Sequence, residues 1–410
     1  MSVPLLLADP PREPFWPLAA TRPAADLLAG TRTFHARWGD RHGAPATLLC
    51  DEDVTGCAFR SGVPPPLNEL PGAGAGWRMA VATWIPPRGW SFGDEPAEYR
   101  CGGEPVAWRL DASRAKEIAG RIGGPLWGGS CFDAAIGLGL PHVEAGGALC
   151  DSIWGTMAAN PELIAYDAED FEGGDTFSGV DPFVLLGDNL KVGVDVAIGP
   201  FVVLDARQGP IVLDRGANVE PHAILRGPIY VGPESKILGG EVGNGTSIGQ
   251  YCKVRGEVEQ TVFQGFCNKA HDGFVGHSFV GEWGNLGAST VTSDLKNTYG
   301  SVRVSGPEGR IDTGLLKVGA FLGDHVKTGI GARLTTGARI GVGSHVFGGG
   351  VSPAWLPDFS WDDGKERVGV RLDAFLSTAG TAMRRRSQSP TEGERALWSR
   401  LQYLEHPTSS

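Results

Sequence analysis

The chain has 410 residues, of which 41% are hydrophobic and 20% are charged. This composition supports two hydrophobic cores and excludes a disordered protein. The net charge of −11 argues against a general nucleic-acid-binding protein, because such proteins carry a basic surface for the phosphate backbone. No apolar run approaches the ~20 residues that span a bilayer, and the first residues do not resemble a signal peptide. We therefore expect a cytoplasmic protein without a nucleic-acid or membrane partner.

The cysteines are seven in number and contain no CxxC pair. An odd, scattered set does not indicate a disulfide framework, and a structural zinc site needs closely spaced pairs. We expect reduced thiols, as is usual in the cytoplasm.

The first part of the chain, residues 1–175, mixes short apolar runs at 46–49 and 79–84 with helical stretches at 107–122 and 145–159. Proline-rich loops separate them. This alternation predicts an α/β domain, which ends near the glycine-rich and acidic stretch at 171–175.

A six-residue repeat begins near residue 180. Apolar residues recur at every sixth position in four series: Val192, Ile198 and Leu204; Leu213, Val219, Leu225, Val231 and Ile237; Val242, Ile248 and Val254; Leu334, Ile340 and Val346. Neither a helix nor an ordinary strand has this period. It predicts a parallel β-helix over 176–360, with hexads forming the walls of each coil. Hexapeptide-repeat proteins coil left-handedly, and we expect the same handedness here from membership of that repeat class. Phase shifts at 207–210 and 257–284 predict loops that leave the coil.

The last segment, 361–410, lacks the hexads. Residues 372–404 predict one or two helices, interrupted by a basic run at 384–386. We interpret this run as a solvated linker in preference to a phosphate-binding segment.

Polar residues concentrate between 268 and 300, where the hexads are interrupted. His271 can take a proton near neutral pH, and Asn285 can orient it or an acceptor. A backbone N–H such as that of Ala288 can stabilise an oxyanion, and nearby lysines can contact phosphates. The alternative is that His271 and Asn285 only satisfy hydrogen bonds at the corners of the coil.

The segment HDGFVGHSFVGEWGNLGASTVTSDLKNTYG, with its flanking hexads, resembles the acetyltransferase half of the GlmU-type bifunctional enzymes. The N-terminal stretch ADPPREPFWPLAATRPAADLLAGTRTFHARW resembles divergent bacterial GlmU-like proteins, so the likeness covers nearly the whole chain. The resemblance implies an N-acetyltransferase that uses acetyl-CoA as donor. Its acceptor would be an amino-sugar phosphate or a nucleotide-linked amino sugar, and its assembly a homotrimer.

The resemblance also implies roles for individual residues. His271 matches the general base, Asn285 the acceptor-binding asparagine, and Ala288, with Gly287, the acetyl-CoA contact. The implied substrate-binding positions are Lys253, Arg255, Lys269, Phe274, Asp294 and Lys296. Other positions depart from the family. Phe274 replaces a tyrosine, Asp294 an asparagine, and Asp324, beside Gly323, a serine near CoA. The family's paired acceptor lysines are absent, and only Lys253 and Arg255 stand near their place.

The N-terminal domain resembles a degenerate sugar nucleotidyltransferase. Its phosphate loop lacks the family's glycines, and Ala24 stands where the family has a lysine. Arg12, Arg22 and Asp26 are candidates for nucleotide binding, and structural ion pairs are the alternative. Mg²⁺ is expected only if nucleotidyl transfer survives, because that reaction needs cations on the phosphates.

Two other classes of function remain open. A γ-carbonic-anhydrase-like enzyme would need three converging zinc ligands from His271, His277, His325 and His345. A non-catalytic, trimeric scaffold that binds sugar nucleotides is the other alternative. The acyltransferase interpretation predicts no metal.

Overall fold

The computed structural model describes residues 3–42, 46–60, 64–122, 127–174, 177–179, 183–307 and 309–406. The chain forms two compact units. The first contains residues 1–15, 21–27 and 32–152, and the second contains 16–20, 28–31 and 153–410. The boundaries predicted at residues 175 and 360 stay predictions.

The N-terminal unit is built on a six-stranded mixed sheet. In spatial order its strands are Thr47–Leu49, Leu5–Ala8, Trp77–Val81, Glu104–Leu110, Ala97–Cys101 and His142–Glu144. The first three are parallel, and Glu104–Leu110 runs antiparallel to both of its neighbours. Short strands of this unit lie at Arg32–Thr33, Trp84–Ile85 and Ala148–Leu149, whereas the strand Leu28–Ala29 belongs to the second unit.

The described part of this unit contains the helices α1 (Phe34–His42), α2 (Ala112–Ala119) and α3 (Trp127–Ala135). Short 3-10 turns of this unit lie at Glu13–Phe15, Ala24–Asp26, Glu52–Val54 and Ala73–Ala75, whereas the turn Leu18–Ala20 belongs to the second unit. Asp111 caps α2 by accepting a hydrogen bond from the Arg114 N–H at 2.9 Å. Buried tryptophans fill the core, among them Trp77 and Trp108. The expected α/β domain is confirmed.

The predicted parallel β-helix is also confirmed. One wall is a nine-stranded parallel sheet: Leu190–Val192, Ile211–Leu213, Ile229–Val231, Thr246–Ile248, Val262–Phe263, Phe279–Val280, Ala320–Leu322, Ala338–Ile340 and Trp355–Leu356. The other two walls form one connected ten-stranded sheet: Phe177–Gly179, Val184–Leu186, Val196–Ile198, Val203–Asp205, Asn218–Val219, Ile224–Arg226, Lys236–Gly243, Lys253–Glu259, Asn268–Lys269 and Phe274–Gly276. Short strands extend the walls: Val291–Thr292, Arg333–Leu334, Lys327–Thr328, His345–Val346, Ser360–Asp362 and Arg367–Gly369.

The six-residue period works because each sixth side chain points into the coil. Ile198, Leu225 and Ile340 lie in one buried cluster with the other repeat residues. Bulky residues at one corner adopt positive φ angles, and their rings stack from coil to coil. Phe266 stacks on Trp283 with ring centroids 4.2 Å apart. Burial of the aliphatic core therefore outweighs the cost of left-handed corner residues.

The loop predicted at 257–284 is absent, and that expectation was wrong. Strands follow one another through this stretch, and Val262–Phe263 pairs with Phe279–Val280 in the next coil. The phase shifts because corners are shorter there, with Gly256 and Gln260 at positive φ. The excursion comes later, where the antiparallel hairpin Arg303–Gly306 and Gly309–Asp312 leaves the coil.

Helices pack on the β-helix within the second unit. Helix α4 (Ile153–Ala168) is tied to it by Asn160, which donates to the Gly245 carbonyl at 2.8 Å and to Ser247 Oγ at 2.9 Å. Helices α5 (Leu372–Arg384) and α6 (Glu392–Glu405) confirm the helical tail. Thr391 and Glu394 form a capping box at the start of α6. None of the helices described has the length and apolar character needed to cross a membrane.

Candidate functional site

One wall of the β-helix carries a ladder of polar side chains on successive coils. The strand register pairs Lys253 with Asn268, Asn268 with Asn285, and Asn285 with Lys327. The Asn268 amide donates to Asn285 Oδ1 at 2.9 Å. This bond leaves the Asn285 amide nitrogen available as a donor to a ligand. The fold thus brings the predicted residues Lys253 and Asn285 onto one surface.

His271 and Ala288 lie at the corner where this wall ends, on consecutive coils. The Leu286 N–H donates to the Asn268 carbonyl, and the Ser289 N–H to the Asp272 carbonyl, both at 2.9 Å. This register stacks Ala288 over His271, whose side chain is exposed. The Gly287 N–H is bound to Thr328 Oγ1 at 3.0 Å. Among the described residues, none accepts a hydrogen bond from the Ala288 N–H.

Lys269 supports this corner from inside the coil. Its side chain is fully buried, and its ammonium donates to the carbonyls of His271, Asp272 (3.0 Å) and Arg255 (3.3 Å). Burial lowers its pKa to about 8. In this position the ammonium fixes the backbone around His271 and cannot also reach an external phosphate.

A second polar cluster lies at the next corner. His277 Nδ1 is 2.8 Å from Asp294 Oδ2 and 3.8 Å from Glu259 Oε1, beside a cavity of about 400 Å³. Burial alone would raise the Asp294 pKa, but the hydrogen bond and charge of His277 bring it below its usual value. Asp294 is therefore ionised near neutral pH and can orient the imidazole of His277. From the sequence, His277 was a candidate zinc ligand and Asp294 a candidate substrate-binding residue, and no contact between them was predicted.

These three side chains are the one group, in the part of the chain that is described, close enough to hold a metal ion. The ammonium of Lys317 already lies 3.3 Å from Glu259 and supplies positive charge there. The four histidines proposed for zinc have different neighbours. His325 stacks on Trp283, and His345 stacks on Trp361. They do not form the converging set that a γ-carbonic-anhydrase site requires.

The remaining predicted residues of the β-helix lie elsewhere. The Lys296 ammonium donates to the Ser301 carbonyl, and Arg255 pairs with Asp272 at 3.0 Å. Phe274 is half-buried. The Gly323 N–H bonds the Ile340 carbonyl, and the buried Asp324 carboxylate accepts the Glu282 N–H at 2.8 Å. Gly323 and Asp324 precede the strand Lys327–Thr328, at the opposite end of the wall from Ala288.

The predicted nucleotide-binding residues belong to the N-terminal unit. Arg22 and Asp26 form a buried ion pair at 3.2 Å, and Arg12 lies 3.5 Å from Asp53. Asp26, the one carboxylate among the three predicted residues, is buried against Arg22 and does not fit Mg²⁺ coordination. Asp9, in the same phosphate-loop stretch, accepts the N–H groups of Ala24 and Ala25.

A cavity of about 490 Å³ was not expected from the sequence. It lies between the polar ladder and helix α5, and Arg385 and Arg386 line it. The exposed Arg385 lies in the connection between α5 and α6, as the linker interpretation expects, and it also lines this cavity. Arg384 closes α5, and the two following arginines face the cavity. The basic run at 384–386 was visible in the sequence, but the sequence did not show which surface of the β-helix these arginines face.

No family model matches the chain. Over 95 residues, 23% of this chain and 24% of the relative, it is 35% identical to a bifunctional sugar-1-phosphate nucleotidylyltransferase/acetyltransferase of Sulfurisphaera tokodaii. Two proteins described as bifunctional protein GlmU are also similar. That of Methanococcus aeolicus is 27% identical over 38% of each chain, and that of Koribacter versatilis is 24% identical over 53% of this chain and 42% of the relative.

The fold and the polar corner define a hexapeptide-repeat β-helix protein with an N-terminal α/β unit. Its predicted resemblance to the GlmU-type proteins is confirmed at modest identity. The matched stretches cover less than half the length of these relatives.

Proposed function

We propose that this chain is an acyl-CoA-dependent N-acyltransferase acting on an amino-sugar phosphate or a nucleotide-linked amino sugar. The relatives named for nucleotidylyl and acetyl transfer support an enzyme of sugar-phosphate chemistry in general. The observation that carries the proposal is the corner at which His271 and the unengaged N–H of Ala288 lie on consecutive coils. A base and an oxyanion donor are the two groups that acyl transfer from a thioester requires.

In the proposed reaction, the acceptor amine attacks the carbonyl carbon of the thioester and a C–N bond forms. His271 accepts the amine proton, and the Ala288 N–H stabilises the oxyanion. The intermediate then collapses, the C–S bond breaks, and CoA leaves as a thiol after taking the proton from His271. Asn285 donates a hydrogen bond from its amide N–H to the acceptor sugar. Lys269 holds the backbone of His271 in place.

Nucleotidyl transfer is a weaker proposal. The N-terminal unit lacks the glycine-rich loop, and its predicted residues Arg22 and Asp26 neutralise each other. We assign no step to Mg²⁺. A homotrimer, with sites completed by neighbouring copies, is part of the proposal because a single wall offers one side of a site.

The first test measures CoA thiol release from acetyl-CoA with a panel of amino-sugar phosphates and UDP-linked amino sugars. We expect His271→Ala to lower turnover by roughly 100-fold or more, the scale of losing a general base. His277→Ala is the matched control, because His277 lies at a different corner. If His277→Ala loses turnover while His271→Ala keeps it, the general base is His277, paired with Asp294, and not His271.

The competing proposal is a non-catalytic scaffold that binds sugar nucleotides. Its supporting observation is the loss of the phosphate loop in the N-terminal unit. Tight binding of UDP-sugars without thiol release by any member of the panel would favour it and refute the acyltransferase.

A further inference from the structure

The cavity beneath helix α5 is enclosed by two different parts of the chain. The wall of the β-helix contributes polar side chains from successive coils: Lys253, Asn268, Asn285 and Lys327. Thr381 in the last turn of α5, and Arg385 and Arg386 beyond it, line the opposite side. The volume of about 490 Å³ falls in the range of sites for small molecules.

The charges around this cavity have one sign. Two lysines and two arginines line it, and among the described lining residues there is no Asp or Glu. Within the described chain, none of these four cations is paired with a carboxylate. Such a concentration of positive charge is unusual in a protein whose net charge is −11. Like charges that share a concave surface repel one another, and a bound anion would relieve this repulsion.

Lys327 is the cation of this cavity whose ammonium is strongly desolvated by burial. Burial lowers its pKa, and a nearby anion would favour its charged form. Burial, together with the charge of Lys327, also lowers the pKa of the neighbouring His345 to about 4. His345 is therefore neutral at pH 7 and adds no positive charge at this level of the wall.

We infer that this cavity binds a phosphorylated small molecule through its phosphate groups. Arg385 and Arg386 offer planar donor pairs that match phosphate oxygens, and Lys253 and Lys327 offer point charges from the opposite side. The Asn285 amide supplies a further donor next to them. CoA, sugar phosphates and nucleotides all carry this chemistry. The inference does not depend on acyl transfer, because it concerns binding alone.

The test is calorimetric titration of the full chain with pyrophosphate, CoA and glucosamine 1-phosphate in separate experiments. We expect at least one of these probes to bind, and Arg385→Ala to weaken that binding by tenfold or more. Lys327→Met should weaken it at least as much, because Lys327 is less exposed than Arg385. Arg384→Ala is the matched control, since its exposed guanidinium bonds Thr381 Oγ1 and does not line the cavity.

The three probes separate the sources of the phosphate. Binding of CoA alone or of the sugar phosphate alone, each dependent on Arg385, supports the inference and names the ligand class. The inference is overturned if none of the three probes binds. It is also overturned if Arg384→Ala and Arg385→Ala weaken binding of a probe equally. Arg385 is exposed, so its variant tests the inference even if Lys327→Met fails to fold. Retained binding without thiol release would refute the acyltransferase alone.

Discussion

Gly273 follows the corner of His271 and lies where successive coils touch backbone to backbone. Its φ of +128° belongs to the region that disfavours side chains, and a Cβ there would lie 2.2 Å from the Thr290 carbonyl oxygen. Gly240 and Gly256 occupy the same position in the preceding coils, each against the backbone of the next. Substitution of Gly273 by alanine must therefore displace a main chain that is held by its neighbours.

The cost of Gly273→Ala has two parts. A non-glycine residue in a sparsely populated backbone conformation costs about 1–3 kcal/mol. Overpacking against a rigid neighbour costs roughly 1–3 kcal/mol more. We therefore expect the free energy of unfolding to fall by about 4 kcal/mol, and the melting temperature by roughly 10 °C for a unit of this size.

Urea unfolding followed by circular dichroism measures this difference. Gly300→Ala is the matched control, because no heavy atom lies within 4 Å of its added Cβ and its φ is not in the left-handed region. That variant should stay within about 0.5 kcal/mol of the wild type. Equal stabilities of the Gly273→Ala and Gly300→Ala variants would refute the close contact between coils at this corner.

Two further predictions concern buried polar groups. Burial raises the pKa of Asp9 to about 7, above its ordinary 3.8, so the folded state binds a proton that the unfolded chain has lost between these pH values. The contribution of Asp9 to stability is full below pH 3.8 and is lost as pH rises through 7. The free energy of unfolding of the wild type should therefore fall by about 4 kcal/mol over this range, and Asp9→Asn should abolish this fall. Urea unfolding from about pH 4 to 8 measures it. A wild-type pH profile in the variant would contradict this. Asn160→Ala leaves the Gly30 N–H and the Gly245 carbonyl without their partner, while Ser247 Oγ keeps its bond to the Gly30 carbonyl, so we expect a loss of about 3 kcal/mol in the same assay. Unchanged stability would mean that α4 does not depend on Asn160.

The order of elements was predictable because it depends on local repetition. Hexads around Ile198, Leu225 and Ile340 predicted the β-helix, since a six-residue period leaves few ways to bury every apolar side chain. The one or two helices predicted over 372–404 are likewise local, and the structure adds the capping box of Thr391 and Glu394 at the start of α6. The register was less predictable, because it depends on the length of each corner. The short corners around Gly256 resembled a loop in the sequence but keep the chain in the coil.

The sequence by itself determined the β-helix, the helical tail and the chemical types of the candidate groups, His271 and Asn285 among them. Only the tertiary structure decided which groups meet. Lys269 appeared available for a phosphate, yet its place inside the coil turns its ammonium onto backbone carbonyls. Lys327 and Arg385 are distant in the sequence, and they share a cavity because coil stacking and the docking of α5 bring them together. Such contacts depend on accumulated corner lengths and on helix packing, and no local pattern in the sequence encodes either.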